Sequence, residues 1–431
     1  MKNEKNDFAL GEIETFIKQF NNYEVENFKI CLKHNGYFWW PLVRFSIADE
    51  IMVAKKLKWS SKILDKNPKR FFKAILKYIK IIPSDFFTMC IIFFKSIKTI
   101  YISSRNLPDL MYSVNSNKSN YLIIGNKDFF EGDSYFISRN NIQLLVKILK
   151  IFVYIPNELL NDSKKINSEL NYFFDVNLDI SKIIINQYKT QIAFSWIWGS
   201  ILFILKRTKK IFFVNDNSQH TLIHQAKKRG ISTVEIQHGY IGNANEEYTF
   251  PNLPFKISTL PDQIIINREI GEMSYPVSQI KSKFTEKLKK KSEISSTREF
   301  DLLIGTAPKL IKETKSIIKA LEDTNLKIAI KLHPAENIET YKNYLKKNLK
   351  IYIGYEDIKL IAQKSKIYLP VFPLSTRAFE AYENGCTVLT INYDDRKLSN
   401  MLDPIIDSTV NSIKDLPFVI PELINKYWNL K

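Results

Sequence analysis

Cysteine is scarce: Cys31, Cys90 and Cys386 are odd in number and far apart in a chain of 431 residues. That usage excludes a disulfide framework and a cysteine-built zinc site, and it fits a reducing cytoplasm. Long uncharged apolar runs are missing too. Phe86 to Ile102 is interrupted by Lys95 and Lys98, and Ile192 to Leu205 falls short of the roughly twenty residues needed to span a bilayer. The opening residues, MKNEKNDFALGEIE, lack the apolar core of a signal peptide. No paired-aspartate metal motif stands out, since Asp394-Asp395 reads as a turn. The expectation is a cytoplasmic protein, soluble or peripheral on the inner face of the plasma membrane, with no bound metal or cofactor.

What is present in excess is positive charge, +18 at neutral pH. Such a surplus suits nucleic acid, an anionic membrane face or a phosphate-bearing substrate. Nucleic acid is the weakest of these, because no RNP-type aromatics, zinc pattern or helix-turn-helix accompanies the charge. Residues 1–110 read as a helical, basic N-terminal extension. Within it Tyr37 to Ile51 has helical spacing, with Pro41 suited to a first turn. Arg44 in that apolar helix reads as a snorkelling or salt-bridged side chain. Lys55 to Ile102 sets lysines among Phe, Ile and Leu. It is either a surface for an anionic bilayer or a helix packed on its own domain with lysines outward.

Beyond residue 110 the pattern alternates between short apolar runs and amphipathic stretches, the mark of α/β architecture. Tyr121 to Gly125, Ile151 to Ile155, Ile211 to Asn215 and Thr233 to Ile236 read as strands. Ile183 to Lys206 reads as one long helix, its Trp196 and Trp198 facing a core. A proline-bearing linker, Pro251 to Gln263, and a lysine-rich helical stretch over 270–298 follow. A second series then places strands at Phe300 to Ile304, Leu326 to Leu332, Ile351 to Ile353, Ile367 to Leu369 and, last, Cys386 to Ile391, with helices between them that include Asn337 to Asn348. The fold class predicted is α/β: two Rossmann-like domains, 111–255 and 256–415, facing a cleft, then a C-terminal helix at 416–431.

In open α/β sheets ligands sit outside the carboxyl ends of the strands. Gln237-His238-Gly239 follows one such end, Lys331-Leu332-His333-Pro334 another. Ser375-Thr376-Arg377 precedes a helix whose first amides suit an anion. Glu380 lies one turn on, placed to accept from ribose hydroxyls, and Gly385 closes that helix.

This order of motifs resembles the GT-B glycosyltransferases of bacterial capsule and lipopolysaccharide synthesis. It is similar as well to CDP-glycerol glycerophosphotransferases and to HP-motif sialyltransferases. The resemblance covers roughly residues 110 to 400. It implies a nucleotide-sugar donor, CMP- or UDP-linked, and a glycan or lipid-linked acceptor. Lys331, His333, Pro334, Ser375, Thr376, Arg377 and Glu380 would hold the donor. Gln237 and Gly239 would lie on the acceptor side, with His238 as the base. HP-type sialyltransferases instead take their base from an acidic-acidic-glycine motif, for which the nearest match is Glu131-Gly132-Asp133, with the glycine displaced. The glycerophosphotransferases have Trp where this chain has Gln237. Glu131 and Asp133 therefore stand beside His238 as candidate bases. A glycerophosphotransferase, a sugar-nucleotide epimerase of the same architecture and a basic nucleic-acid-binding protein are the alternatives.

Overall fold

The computed structural model describes residues 10–27, 33–34, 37–55, 57, 85, 88, 90–92, 95–103, 121–125, 135–214, 219–236, 248–251, 259–268, 281–286, 298–308, 310–333, 336–344, 349–352, 356–372, 375, 377–392 and 405–428. The chain divides into two compact units. One comprises Gly11–Asn267 and Met273–Thr285; the other comprises Met1–Leu10, Arg268–Glu272 and Glu286–Lys431.

The first unit opens with helix α1 (Leu10–Glu26), a two-residue hairpin of β1 (Lys33–His34) and β2 (Tyr37–Phe38), and helix α2 (Trp39–Ala54). On α1, Phe16, Ile17, Phe20 and Tyr23 are buried at helical spacing; on α2, Val43, Ile47, Ile51 and Met52 are buried likewise. Into this apolar seam go two charges. The Arg44 guanidinium donates to both oxygens of Glu24, at 2.6 and 2.9 Å. Trp40 Nε1 donates to the same carboxylate at 2.6 Å. Arg44 also reaches Asn21 Oδ1 and the carbonyl of Thr249, and lies over the Phe250 ring at 4.2 Å. The salt-bridged reading of Arg44 therefore holds.

The sheet of this unit contains β3 (Thr99–Ser103), β4 (Tyr121–Gly125), β5 (Tyr135–Ser138), β6 (Lys210–Val214), β7 (Ser232–Ile236), β8 (Gln263–Arg268) and β9 (Lys281–Glu286), in the order β5-β4-β3-β6-β7-β8-β9. Helices α3 (Arg139–Leu149), α4 (Asn157–Phe174), α5 (Ile180–Ile204) and α6 (His220–Lys227) connect or cover the strands. Neighbours from β5 through β8 pair in parallel. Counting from β3, the first six strands run 3-2-1-4-5-6, the dinucleotide-fold order.

Several expectations change here. Thr99–Ser103 is not helical: it is the first strand, between β4 and β6, and its Ile100 and Ile102 enter the core. The strand expected over 151–155 is a 3₁₀ turn, Lys150–Phe152, and the residues after it, because β5 already occupies the edge beside β4. β8 begins where the expected linker ends, and β9 lies within the stretch read as a lysine-rich helix, so the first sheet continues past residue 255. The tryptophans part company: Trp198 is buried and Trp196 is exposed. Most of the basic segment 55–102 lies outside the described residues. Among the described residues no helix is long and apolar enough to cross a membrane.

The second unit has strands β10 (Phe300–Gly305), β11 (Ile328–Lys331), β12 (Leu349–Tyr352), β13 (Ser365–Pro370), β14 (Thr387–Ile391) and β15 (Ser408–Val410). Their order is β12-β11-β10-β13-β14-β15, every pairing parallel, which is again 3-2-1-4-5-6. The α/β class with two Rossmann-like units is therefore as expected, although β14 is followed by one more strand. Helices α7 (Ile311–Ala320), α8 (Ile358–Ala362), α9 (Arg377–Glu383) and α10 (Leu416–Trp428) accompany the sheet, and the helix expected from Asn337 is a 3₁₀ segment, Ile338–Tyr344. β11 and β14 are buried at every residue, so both read as plain apolar runs in the sequence.

Breaking a buried ion pair from one side strands the other charge. Arg44→Met or Glu24→Leu alone should cost about 3–5 kcal/mol of unfolding free energy, and the double variant markedly less than the two together. Urea unfolding of the four proteins tests this; additive losses would refute the coupling.

Candidate functional site

The strand order reverses in the second unit between β10 and β13, with β11 on the other side of β10. Gly305, the last residue of β10, is in register with Lys331 of β11 and Pro370 of β13. Three strand ends thus finish level, and the chain leaving each carries polar side chains. This is the crevice position at which open α/β sheets take ligands.

Gly305 is required there by a close approach. A Cβ on it would stand 2.2 Å from the hydroxyl of Tyr368 and 2.9 Å from that ring's Cζ. Tyr368 is wholly buried, and its hydroxyl has no partner at full hydrogen-bonding geometry, Ser375 being the polar side chain that acts on it. Burial pushes the phenol up to about 12; Glu380 and Cys386 reinforce the rise, and Arg377 and Ser375 oppose it. Those influences gather Ser375, Arg377 and Glu380 around one ring.

Lys331 is the other deeply placed group, 1 % exposed. Its Nζ donates to the carbonyl of Leu332 at 3.3 Å. Burial, then repulsion by Arg377, lowers the ammonium to about 8, while Glu356 pulls the other way. At neutral pH the group is still mostly protonated. Lys331 and Arg377 therefore form a pair of like charges at the strand ends, an arrangement that an anion would relieve.

The loop after β11 is held by a residue that the sequence reading missed. Glu336 Oε2 accepts from the amide of His333 at 3.0 Å and from the hydroxyl of Thr306; Thr306 Oγ1 accepts from the same amide at 2.9 Å. Glu336 Oε1 accepts from Tyr341 at 2.6 Å, and the Glu336 amide returns to the His333 carbonyl at 2.9 Å. The Tyr341 hydroxyl is pushed far up by burial and by this carboxylate. His333, half-buried, is thereby fixed through its backbone. A glutamate three residues after the amide it accepts from is the capping-box spacing, the one signal that would have marked it.

Of the residues expected to act, Lys331, His333, Ser375, Arg377 and Glu380 belong to this unit and surround its strand ends. Ser375 accepts from the amide of Ala378 at 3.0 Å as α9 begins, and Glu380 lies in the first turn of α9. Gly385 ends that helix at a positive φ of 89°, as a helix-stop glycine does. Pro334 and Thr376 lie outside the described residues, as do Gln237, His238, Gly239, Glu131 and Asp133. Among the described residues no group of three or more His, Cys, Asp or Glu side chains is gathered as a metal site.

No protein-family model matches the chain, and no curated protein sequence does. Solved structures overlay on it in part. The UDP-GlcNAc 2-epimerase from Methanocaldococcus jannaschii overlays with a TM-score of 0.45 at 12% identity, covering 77% of this chain and 94% of that one. MurG of Acinetobacter baumannii gives 0.41 at 11%, covering 76% and 90%. CalG4, the calicheamicin glycosyltransferase, gives 0.40 at 10%, covering 77% and 89%. Overlays at this level carry nothing about the chemistry, which rests on the side chains described above.

Gly305→Ala forces its new methyl into Tyr368. It should cost about 1–3 kcal/mol, the range for overpacking, and a second change, Tyr368→Phe, should restore only part of the loss because Cζ is also close. Thermal unfolding of the single and double variants reads this; an unperturbed single variant would overturn the contact.

Proposed function

We propose that the protein is a metal-independent GT-B glycosyltransferase that moves a sugar from a nucleotide donor to a glycan or lipid-linked acceptor, in capsule, O-antigen or lipooligosaccharide synthesis. The observation carrying this reading is the pairing of Lys331 with Arg377 beside Ser375, at the strand-order reversal of a Rossmann-ordered sheet. Two cations there supply the positive charge for a nucleotide's phosphates that other enzymes take from a metal ion. Glu380 is the group for the ribose hydroxyls, and His333 with Pro334 and Thr376 completes the donor set.

In the transfer, the acceptor oxygen attacks the anomeric carbon and forms the new C–O bond. The bond from that carbon to the phosphate oxygen breaks, and its electron pair leaves with the nucleotide. Lys331 and Arg377 stabilise the charge gained. The acceptor proton passes to His238, with Glu131 or Asp133 as the alternative bases and Gln237 and Gly239 shaping the acceptor side. The work would be done at the cytoplasmic face of the membrane, where nucleotide sugars are made.

Binding of CMP, CDP, UDP and GDP, followed by thermal shift, tests the donor site, since a ligand at a hundred times its Kd adds about 2.7 kcal/mol to stability. One of the four should shift the wild type, and His333→Ala and Arg377→Ala should lose the shift. CMP or UDP preference favours the sugar transferase; CDP favours a glycerophosphotransferase. No shift with any of them would defeat the reading.

A pH dependence follows. Lys331 helps an anion only while protonated, so nucleotide affinity should be level up to neutrality and fall as pH rises through about 8; bound phosphate moves that midpoint upward. Lys331→Met should bind roughly tenfold or more weaker at pH 7, from the ~1.5–3 kcal/mol of a charged hydrogen bond, with the step removed. Calorimetric titration from pH 6.5 to 9.5 decides it, and the same step persisting in the variant would rule Lys331 out.

A further inference from the structure

A separate surface, on the first unit, carries large apolar side chains into solvent. At the end of α3 and in the 3₁₀ turn after it, Leu145, Ile148, Ile151, Phe152 and Tyr154 are all exposed, Ile151 to 75 % and Phe152 to 71 %. A soluble surface scatters such residues singly; a contiguous run marks a contact surface. Lys150, within the turn, donates to the side chain of Asn186 on α5; partial burial, then the charge of Lys189 one turn further along, lowers its ammonium. The turn and α5 therefore make one continuous face.

The outer stripe of α5 has the same character. Lys182, Asn186, Lys189, Trp196, Ser200 and Phe203 recur at helical spacing on one side, with Trp196 and Phe203 exposed and Lys206 lying over the Phe203 ring at 5.1 Å. The opposite side of α5, with Ile184, Tyr188, Trp198 and Leu202, is core, and the stripe itself is covered at Ala193 and Ile197, between Lys189 and Ser200. The stretches that build this face carry charge of one sign. Residues 134–157 contain no Asp or Glu, nor do residues 180–215, although both stretches carry several Lys and Arg. Lys150 and Lys189 have no carboxylate partner among the described residues.

We propose that the face built from the end of α3, the turn Lys150–Phe152 and the outer stripe of α5 docks on an anionic lipid bilayer. Ile151 and Phe152 enter the headgroup–acyl boundary, Trp196 and Phe203 lie at the interface, and the lysines meet the lipid phosphates. The charge argues against a second copy as the occupant: a two-fold contact would set Lys150 and Lys189 against like charges. It argues equally for a negative surface. Because α5 does not meet the length and apolarity needed to cross a membrane, it lies along the bilayer instead of entering it.

The experiment is flotation of the full chain with phosphatidylcholine vesicles, with and without a third phosphatidylglycerol, at low and high salt. Wild type should float with the anionic vesicles, far less with the neutral ones, and lose binding as salt rises. Ile151→Ser/Phe152→Ser and, separately, Lys150→Glu/Lys189→Glu should each lower the partition coefficient at least tenfold. Ile151 and Phe152 are exposed and Lys150 and Lys189 half-exposed; the melting temperature is measured alongside, so that lost binding is separated from lost folding. Flotation of both variants equal to wild type would overturn the proposal and shift attention to the basic segment 55–102. So would wild-type binding indifferent to lipid charge, or no binding at all. A wild type that is dimeric by light scattering, and monomeric once Ile151 and Phe152 are replaced, would overturn it in favour of self-association.

Discussion

Gly305 lies level with Lys331 and Pro370, and what the second unit offers a ligand depends on that alignment. A parallel sheet sends successive crossovers to one side until the order reverses, and at the reversal the chains leaving neighbouring strand ends diverge. Here the reversal falls between β10 and β13. Tyr368 packs there against a residue without a side chain. Lys331 stands at the end of β11 and Arg377 at the start of α9, so two positive charges meet at these strand ends.

Such a site has an electrostatic cost. Two cations held near each other in a partly dry setting repel, and the lowered ammonium of Lys331 is the sign of it. The unit meets this cost with local order. Glu336 binds the His333 amide, Thr306 and Tyr341 at once, which fixes the His333 backbone beside Lys331. Groups held in place by such contacts cost less free energy to order on binding. The first unit uses the same device elsewhere: Glu24, Arg44 and Trp40 tie α1 to α2 and, through Thr249, to a segment just after β7.

The two units divide their surfaces differently. The second sets two cations, Lys331 and Arg377, at its strand ends, where they suit a small anion. The first spreads its cations among exposed aromatic and aliphatic groups along α5, where they suit an extended negative surface.

The sequence alone determined the α/β class and most of the second unit's strands, because a strand buried on both faces is written as an unbroken apolar run: LLIG before Thr306, IAIK before His333, TVLTI after Cys386. It also marked Lys331, His333, Ser375, Arg377 and Glu380, since residues that follow such runs stand at strand ends wherever the strands pair. Tertiary structure decided the rest. β3 was hidden because TIYIS closes a lysine-rich stretch that reads as helix, and only pairing with β4 and β6 makes it the first strand. β9, KSKFTE, has no apolar run to read and is a strand by virtue of its neighbour. The contact of Tyr368 with Gly305 and the three-way hold of Glu336 join residues that local pattern keeps apart. Strand order is a property of which partners meet, so no window of sequence contains it.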